Sequence, residues 1–124
     1  MVDPLPLYRR TILIVEDAYV VAVEAQRIVE EAGAERVLLA GTVDDVLSVL
    51  AAEKRIDLCI LDLKLGEEDA RPLIADILKR GIPVLVATGF SSATPLCDVP
   101  VLRKPYQEKE LVDAIRAAVR SDPH

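Results

Sequence analysis

Apolar residues along the chain collect in five short runs, Thr11–Val15, Arg36–Ala40, Asp57–Leu61, Pro83–Ala87 and Val99–Leu102, each rich in Val, Ile, Leu or Ala. Continuous apolar runs of this length predict strands buried on both faces. Between them, apolar residues recur at helical spacing: Val21, Ala25, Ile28 and Ala32; Val43, Val46, Leu47 and Leu50; Leu73, Ile74, Ile77 and Leu78; and finally Leu111, Val112, Ile115 and Val119. Each set is one face of an amphipathic helix. The punctuation agrees: Thr42 with Asp45 resembles a capping box, and Gly33 and Gly81 suit helix C-termini. Strict alternation of strand and helix predicts a parallel sheet covered on both faces and joined by right-handed crossovers. One connection departs from the pattern. From Gly89 to Asp98, Pro95 and the paired Ser91 and Ser92 disfavour a long helix, so at most a turn or two is expected there.

Composition narrows the class. A chain of 124 residues that is 52% hydrophobic and 29% charged suits one compact domain, and with 3% aromatic residues its core must be aliphatic. The expected organisation is an N-terminal tail over residues 1–10 and a single domain over 11–120. A net charge of −6 argues against a nucleic-acid or anionic-membrane surface and favours a protein partner. Cys59 lies in an apolar run and Cys97 in a loop, with no Cys/His cluster, which fits a reducing cytosol. No signal-peptide core is visible, nor any window near the roughly 20 apolar residues of a membrane span. A soluble, cytoplasmic protein is expected.

In an open parallel sheet, ligands gather beyond the carboxyl ends of the strands. The first predicted strand there runs into Glu16 and Asp17, the third into Asp62, the fourth into Thr88 and the fifth toward Lys104 and Pro105. Carboxylates crowded together repel unless a cation compensates. Mg²⁺, which prefers hard oxygen ligands and retains water, suits Asp17, Asp62 and a loop carbonyl, whereas the absence of nearby Cys or His argues against zinc. A carboxylate also serves as a phosphoryl acceptor where positive charge neutralises the incoming oxygens. Mg²⁺ and Lys104 would supply that charge, and Thr88 a hydroxyl donor, with room left by Gly89.

The segments Ile12-Leu13-Ile14-Val15-Glu16-Asp17, Leu61-Asp62-Leu63-Lys64-Leu65-Gly66, Ala87-Thr88-Gly89 and Arg103-Lys104-Pro105-Tyr106 together resemble the response-regulator receiver family of bacterial two-component systems. The resemblance covers nearly the whole chain. It implies a flavodoxin-like, doubly wound sheet of five parallel strands in the order 2-1-3-4-5, with the fourth helix here shortened or irregular. By the same resemblance Asp62 is the phosphoacceptor, Glu16 and Asp17 the acidic pair around Mg²⁺, the Lys64 backbone carbonyl a further ligand, and Thr88 and Lys104 the contacts to the phosphoryl group. The implied function is a single-domain switch rather than an enzyme. It would receive its phosphoryl group from a histidine kinase or a histidine phosphotransfer protein and signal to a downstream protein.

Pro83-Val84-Leu85-Val86-Ala87-Thr88-Gly89-Phe90 is also similar to the FATGUY-motif receivers, with Val86 in place of their phenylalanine. Val101 stands three residues before Lys104, where most receivers carry an aromatic residue. Being short and stiff at χ1, Val101 cannot make that ring's excursion, and a readout in the loop from Gly89 to Pro100 is expected instead.

Alone, Asp62 would be an ordinary loop carboxylate, Lys104 a surface charge and Thr88 a strand end. Their joint placement is what favours a site. Ala18, Val20, Val21, Ala22 and Val23 are mostly core by default, yet some must face outward beside the acidic pocket, where a partner helix would dock. Two other functions remain open: a pseudo-receiver that binds its partner without phosphorylation, and an aspartyl-phosphate phosphatase of the haloacid-dehalogenase type. Against the phosphatase, Lys64 occupies the position of its expected second acid.

Overall fold

In the computed structural model, residues 5–89 and 99–120 are described. The chain alternates β1 (Thr11–Val15), α1 (Tyr19–Glu31), β2 (Arg36–Ala40), α2 (Val43–Ala52) and β3 (Leu58–Leu61). A two-stranded hairpin follows, β4 (Lys64–Leu65) and β5 (Glu68–Asp69), and then α3 (Pro72–Lys79), β6 (Val84–Thr88), β7 (Val101–Arg103) and α4 (Glu108–Arg120). The main sheet has five strands in the order β2-β1-β3-β6-β7, every neighbouring pair parallel. Counted without the hairpin, this is the expected order 2-1-3-4-5.

The pleat sends alternate strand residues to opposite faces, and the core divides accordingly. Leu13, Val15, Cys59, Leu61, Val84 and Val86 pack with residues of α2 and α3. Ile12, Ile14, Leu58, Ile60, Leu85 and Ala87 pack with α1 and α4. β1, β3 and β6 are covered on both sides, which accounts for their unbroken apolar runs, whereas β2 and β7, also expected to be buried, lie at the sheet edges and leave Leu39 and Val101 exposed. Leu7, within the expected tail, is fully buried in the second cluster, and its N–H donates to the Ala32 carbonyl at 3.0 Å.

Strand ends differ from the sequence reading for local reasons. Asp57 lies before β3 and spends its carboxylate on the Thr11 N–H at 2.8 Å. Pro83, lacking an N–H, precedes β6 but still accepts from the Cys59 N–H at 2.9 Å. Gly33 (φ 108°) and Gly81 (φ 79°) end α1 and α3 in left-handed backbone. In both, paired bonds close a Schellman motif: Ala34 to Val29 and Gly33 to Glu30, then Ile82 to Ile77 and Gly81 to Leu78. Leu47 and Leu78, read as buried, are 42% and 41% exposed, because each sits at the border of its helix's apolar stripe. The expected irregular fourth helix, and most of the loop expected to carry the readout, lie outside the described residues. No described helix is long and apolar enough to cross a membrane.

Candidate functional site

The sheet ladder delivers the acidic residues. The Glu16 N–H donates to the Ala40 carbonyl and the Asp62 N–H to the Val15 carbonyl, each at 2.9 Å, so β1 and β3 end side by side. Glu16, Asp17 and Asp62 each place a carboxylate oxygen within 4.8 Å of the others. Glu16 and Asp62 are buried and Asp17 is exposed. From β6, the Thr88 hydroxyl donates to Asp62 Oδ1 at 3.2 Å. Just past β7, Lys104 Nζ donates to Asp62 Oδ2 at 3.0 Å and also to Glu16 Oε2. Its backbone is aligned by a 3.0 Å bond from the Lys104 N–H to the Thr88 carbonyl, and the Lys104–Pro105 peptide is cis. Glu16, Asp17, Asp62, Thr88 and Lys104 thus meet at one edge of the sheet.

Burial raises the pKa of Glu16, against the opposing pull of its bonds from Lys104 and from the Ala18 N–H. For Lys104, burial acts downward, but hydrogen bonds and attraction to Glu16 and Asp62 outweigh it, so its ammonium is held above the ordinary lysine value. Fully ionised, three carboxylates against one ammonium leave an excess of two negative charges, that of a divalent cation. The donors are hard oxygens, with neither thiol nor imidazole in the described cluster. The residues fit Mg²⁺.

The hairpin after Asp62 adds contacts that no single strand run signals. The Lys64 N–H donates to Asp62 Oδ1 at 3.2 Å, and the Gly66 N–H donates to Asp17 Oδ2 at 2.8 Å. Lys64 pairs with Asp69 and Leu65 with Glu68, while the Ala70 N–H donates to the Leu63 carbonyl at 2.7 Å. Antiparallel pairs alternate between bonded and non-bonded, so Lys64 falls on a non-bonded pair and is free to turn its N–H out of the ladder, toward Asp62. Gly66 in a two-residue loop was the available clue: with φ 60° it opens the turn as a II′ glycine does.

Gly89 would bring a Cβ only to ordinary contact, 3.8 Å from the Lys104 Cβ, so the protein itself does not demand a glycine there. Val101 is 48% exposed. Tyr106, half-buried with its phenol pKa raised by burial, lines a narrow cavity with Val21, Glu16, Asp62 and Lys104. A larger cavity, about 360 Å³ and lined by Tyr8, Arg10, Arg55 and Asp57 among others, lies at the opposite, N-terminal ends of the strands.

Residues 12–116 match the model of the response regulator receiver domain. No curated protein matches the chain significantly. Among solved structures, the receiver domain of the PhyR response regulator from Erythrobacter litoralis superposes with a TM-score of 0.82 at 22% identity, covering 94% of this chain and 95% of that one. A CheY-like receiver domain protein from Methanospirillum hungatei gives 0.79 at 24% identity, covering 92% and 96%. At these identities the likeness is one of fold. A response regulator from Burkholderia pseudomallei, solved with a phosphorylated aspartic acid, a calcium ion and citrate, gives 0.77 at 25% identity, covering 90% of this chain and 69% of that one. With the receiver-domain model matched over residues 12–116 and the flavodoxin-like sheet order, the chain belongs to the response-regulator receiver domain family.

Proposed function

We propose that the protein is a phosphorylation switch in which Asp62 accepts a phosphoryl group from a phosphohistidine on a histidine kinase or phosphotransfer protein, and that the modified surface then binds a downstream protein. The observation that carries this is the grip on Asp62: Thr88 and the Lys64 N–H on one oxygen, Lys104 on the other, Glu16 and Asp17 alongside. In the transfer, an Asp62 oxygen attacks phosphorus, a P–O bond forms and the P–N bond to the donor imidazole breaks, its electron pair leaving with the nitrogen. Lys104 holds a positive charge at the oxygen edge where the phosphoryl charge arrives, and the Thr88 hydroxyl is placed to donate to it. Mg²⁺, held by Asp17, Asp62 and the Lys64 carbonyl with Glu16 close by, would neutralise the transferring oxygens. The aspartyl phosphate of the Burkholderia pseudomallei relative supports the assignment.

Beside the pocket, Tyr19 and Val20 are 75% and 79% exposed at the start of α1, an apolar surface suited to the donor's helix. The chain acts as an acceptor and signal transducer rather than an enzyme with turnover. Incubation with a phosphohistidine donor tests the reading. Labelling is expected only with Mg²⁺ present and is expected to vanish in Asp62→Asn. Undiminished labelling of that variant would refute it, and partner binding unchanged by Asp62→Ala would favour the phosphorylation-independent module.

A further inference from the structure

Asp17 differs from its two acidic neighbours in being exposed, so burial does not orient its carboxylate. It is held instead from the hairpin, by the 2.8 Å bond from the Gly66 N–H to Oδ2. The hairpin is in turn anchored in three places. Leu63 and Leu65 are buried in the core, and the Ala70 N–H closes the base of the hairpin on the Leu63 carbonyl. On the second strand, Glu68 Oε1 accepts from the Val43 N–H at 3.2 Å, at the N-terminus of α2. A hydrogen-bonded chain therefore runs from Asp17 through the turn at Gly66 to the first residue of α2.

Resting on the metal-binding reading above, we propose that Gly66 is a positioning residue for the metal site: its N–H fixes one oxygen of Asp17 so that the other is presented to the cation, and Glu68 carries the effect of metal binding to the start of α2. Carboxylate ligands held by an outer hydrogen bond bind metal more tightly because the ligand is already aimed, and loss of such a partner weakens binding by about 10–100-fold. The turn itself imposes the glycine. Gly66 has φ 60°, yet a Cβ there would meet nothing within 4 Å, so an alanine is opposed by backbone strain and not by a clash. Gly66→Ala therefore loosens the turn without disturbing the core.

Mg²⁺ titration followed by calorimetry, together with amide shifts, tests this. The wild type is expected to bind Mg²⁺ and to show a Mg²⁺-dependent shift at the Val43 amide. Gly66→Ala is expected to bind about 10-fold more weakly, with only the modest fall in the melting temperature of the metal-free protein that a strained turn brings. Its phosphorylation rate is expected to recover at saturating Mg²⁺, which a merely structural defect would not allow. Glu68→Ala, which leaves the Thr42 cap of α2 in place, is expected to lose the Val43 response while keeping the fold, and it serves if Gly66→Ala does not fold. Equal Mg²⁺ affinity in Gly66→Ala and wild type, or a Val43 response that survives Glu68→Ala, would overturn the proposal and leave the metal-binding reading intact. Failure of the wild type to bind Mg²⁺ would overturn both.

Discussion

Cys59 sits in the middle of β3 with no exposed surface, and burial pushes its thiol from an ordinary 9.0 up to about 12. The folded protein thus keeps this proton where the unfolded chain loses it. Stability from Cys59 is complete below pH 9 and declines as pH rises toward 12. Peptide-resolved alkylation at pH 8 is expected to spare Cys59 in the native protein and to modify it in denaturant; native labelling would mean that β3 opens readily. Lys104 shows the opposite case, a charge kept because partners surround it. Lys104→Met removes the only ammonium bonded to Glu16 and Asp62 among the described residues. With the lysine side chain still 21% exposed, the expected loss is about 1–3 kcal/mol, below that for a fully buried pair. Chemical denaturation at pH 8 without Mg²⁺ measures it. Glu16, Asp17, Asp62, Thr88 and Lys104 stood out in the sequence because each lies at or just past the end of an apolar run. Gly66 did not, since its part rests on a backbone N–H rather than on a reactive side chain.

Among the elements, α2 shows how a sequence signature is realised with a shift. Thr42 accepts from the Asp45 N–H at 3.0 Å as a capping box requires, but the Asp45 carboxylate returns to the Gly41 N–H at 3.3 Å, one residue beyond the cap. Thr42→Ala is expected to cost about 1 kcal/mol in a urea melt, with the rest of the cap intact. The five sheet strands were legible to within a residue or two as short apolar runs, the three central ones because strands buried on both faces read without a break. The hairpin was not, since strands of two residues are too short to show any period. Leu7 escaped for another reason: two leucines, Leu5 and Leu7, among prolines and charges carry no clear period, yet Leu7 fills the end of the α1–α4 core. Leu7→Ala is expected to lose about 2–5 kcal/mol by denaturation, as for a buried leucine. A loss near zero would detach the N-terminal segment from the fold.

Across the whole molecule, the sheet gathers negative charge at one edge and leaves it partly uncompensated. Mg²⁺ is therefore expected to raise the melting temperature, by the stabilisation due to any ligand that binds only the folded state. Insensitivity to millimolar Mg²⁺ would count against the site. The same edge holds a second consequence, an optical one. The chain has three tyrosines and no tryptophan, so its ultraviolet emission is phenolic and no indole masks it. Tyr8 and Tyr19 stand in solvent, 60% and 75% exposed, Tyr8 with the Arg9 guanidinium 5.3 Å from its ring centroid. Tyr106 alone lies half-buried along the cavity that Asp62 and Lys104 share. An excited phenol sheds its proton to a neighbouring oxyanion and goes dark, so its brightness follows the charge beside it. Beryllofluoride with Mg²⁺ is expected to change the tyrosine emission, and Tyr106→Phe to remove most of that change. An unlabelled receiver would then report its own occupancy in an ordinary fluorimeter.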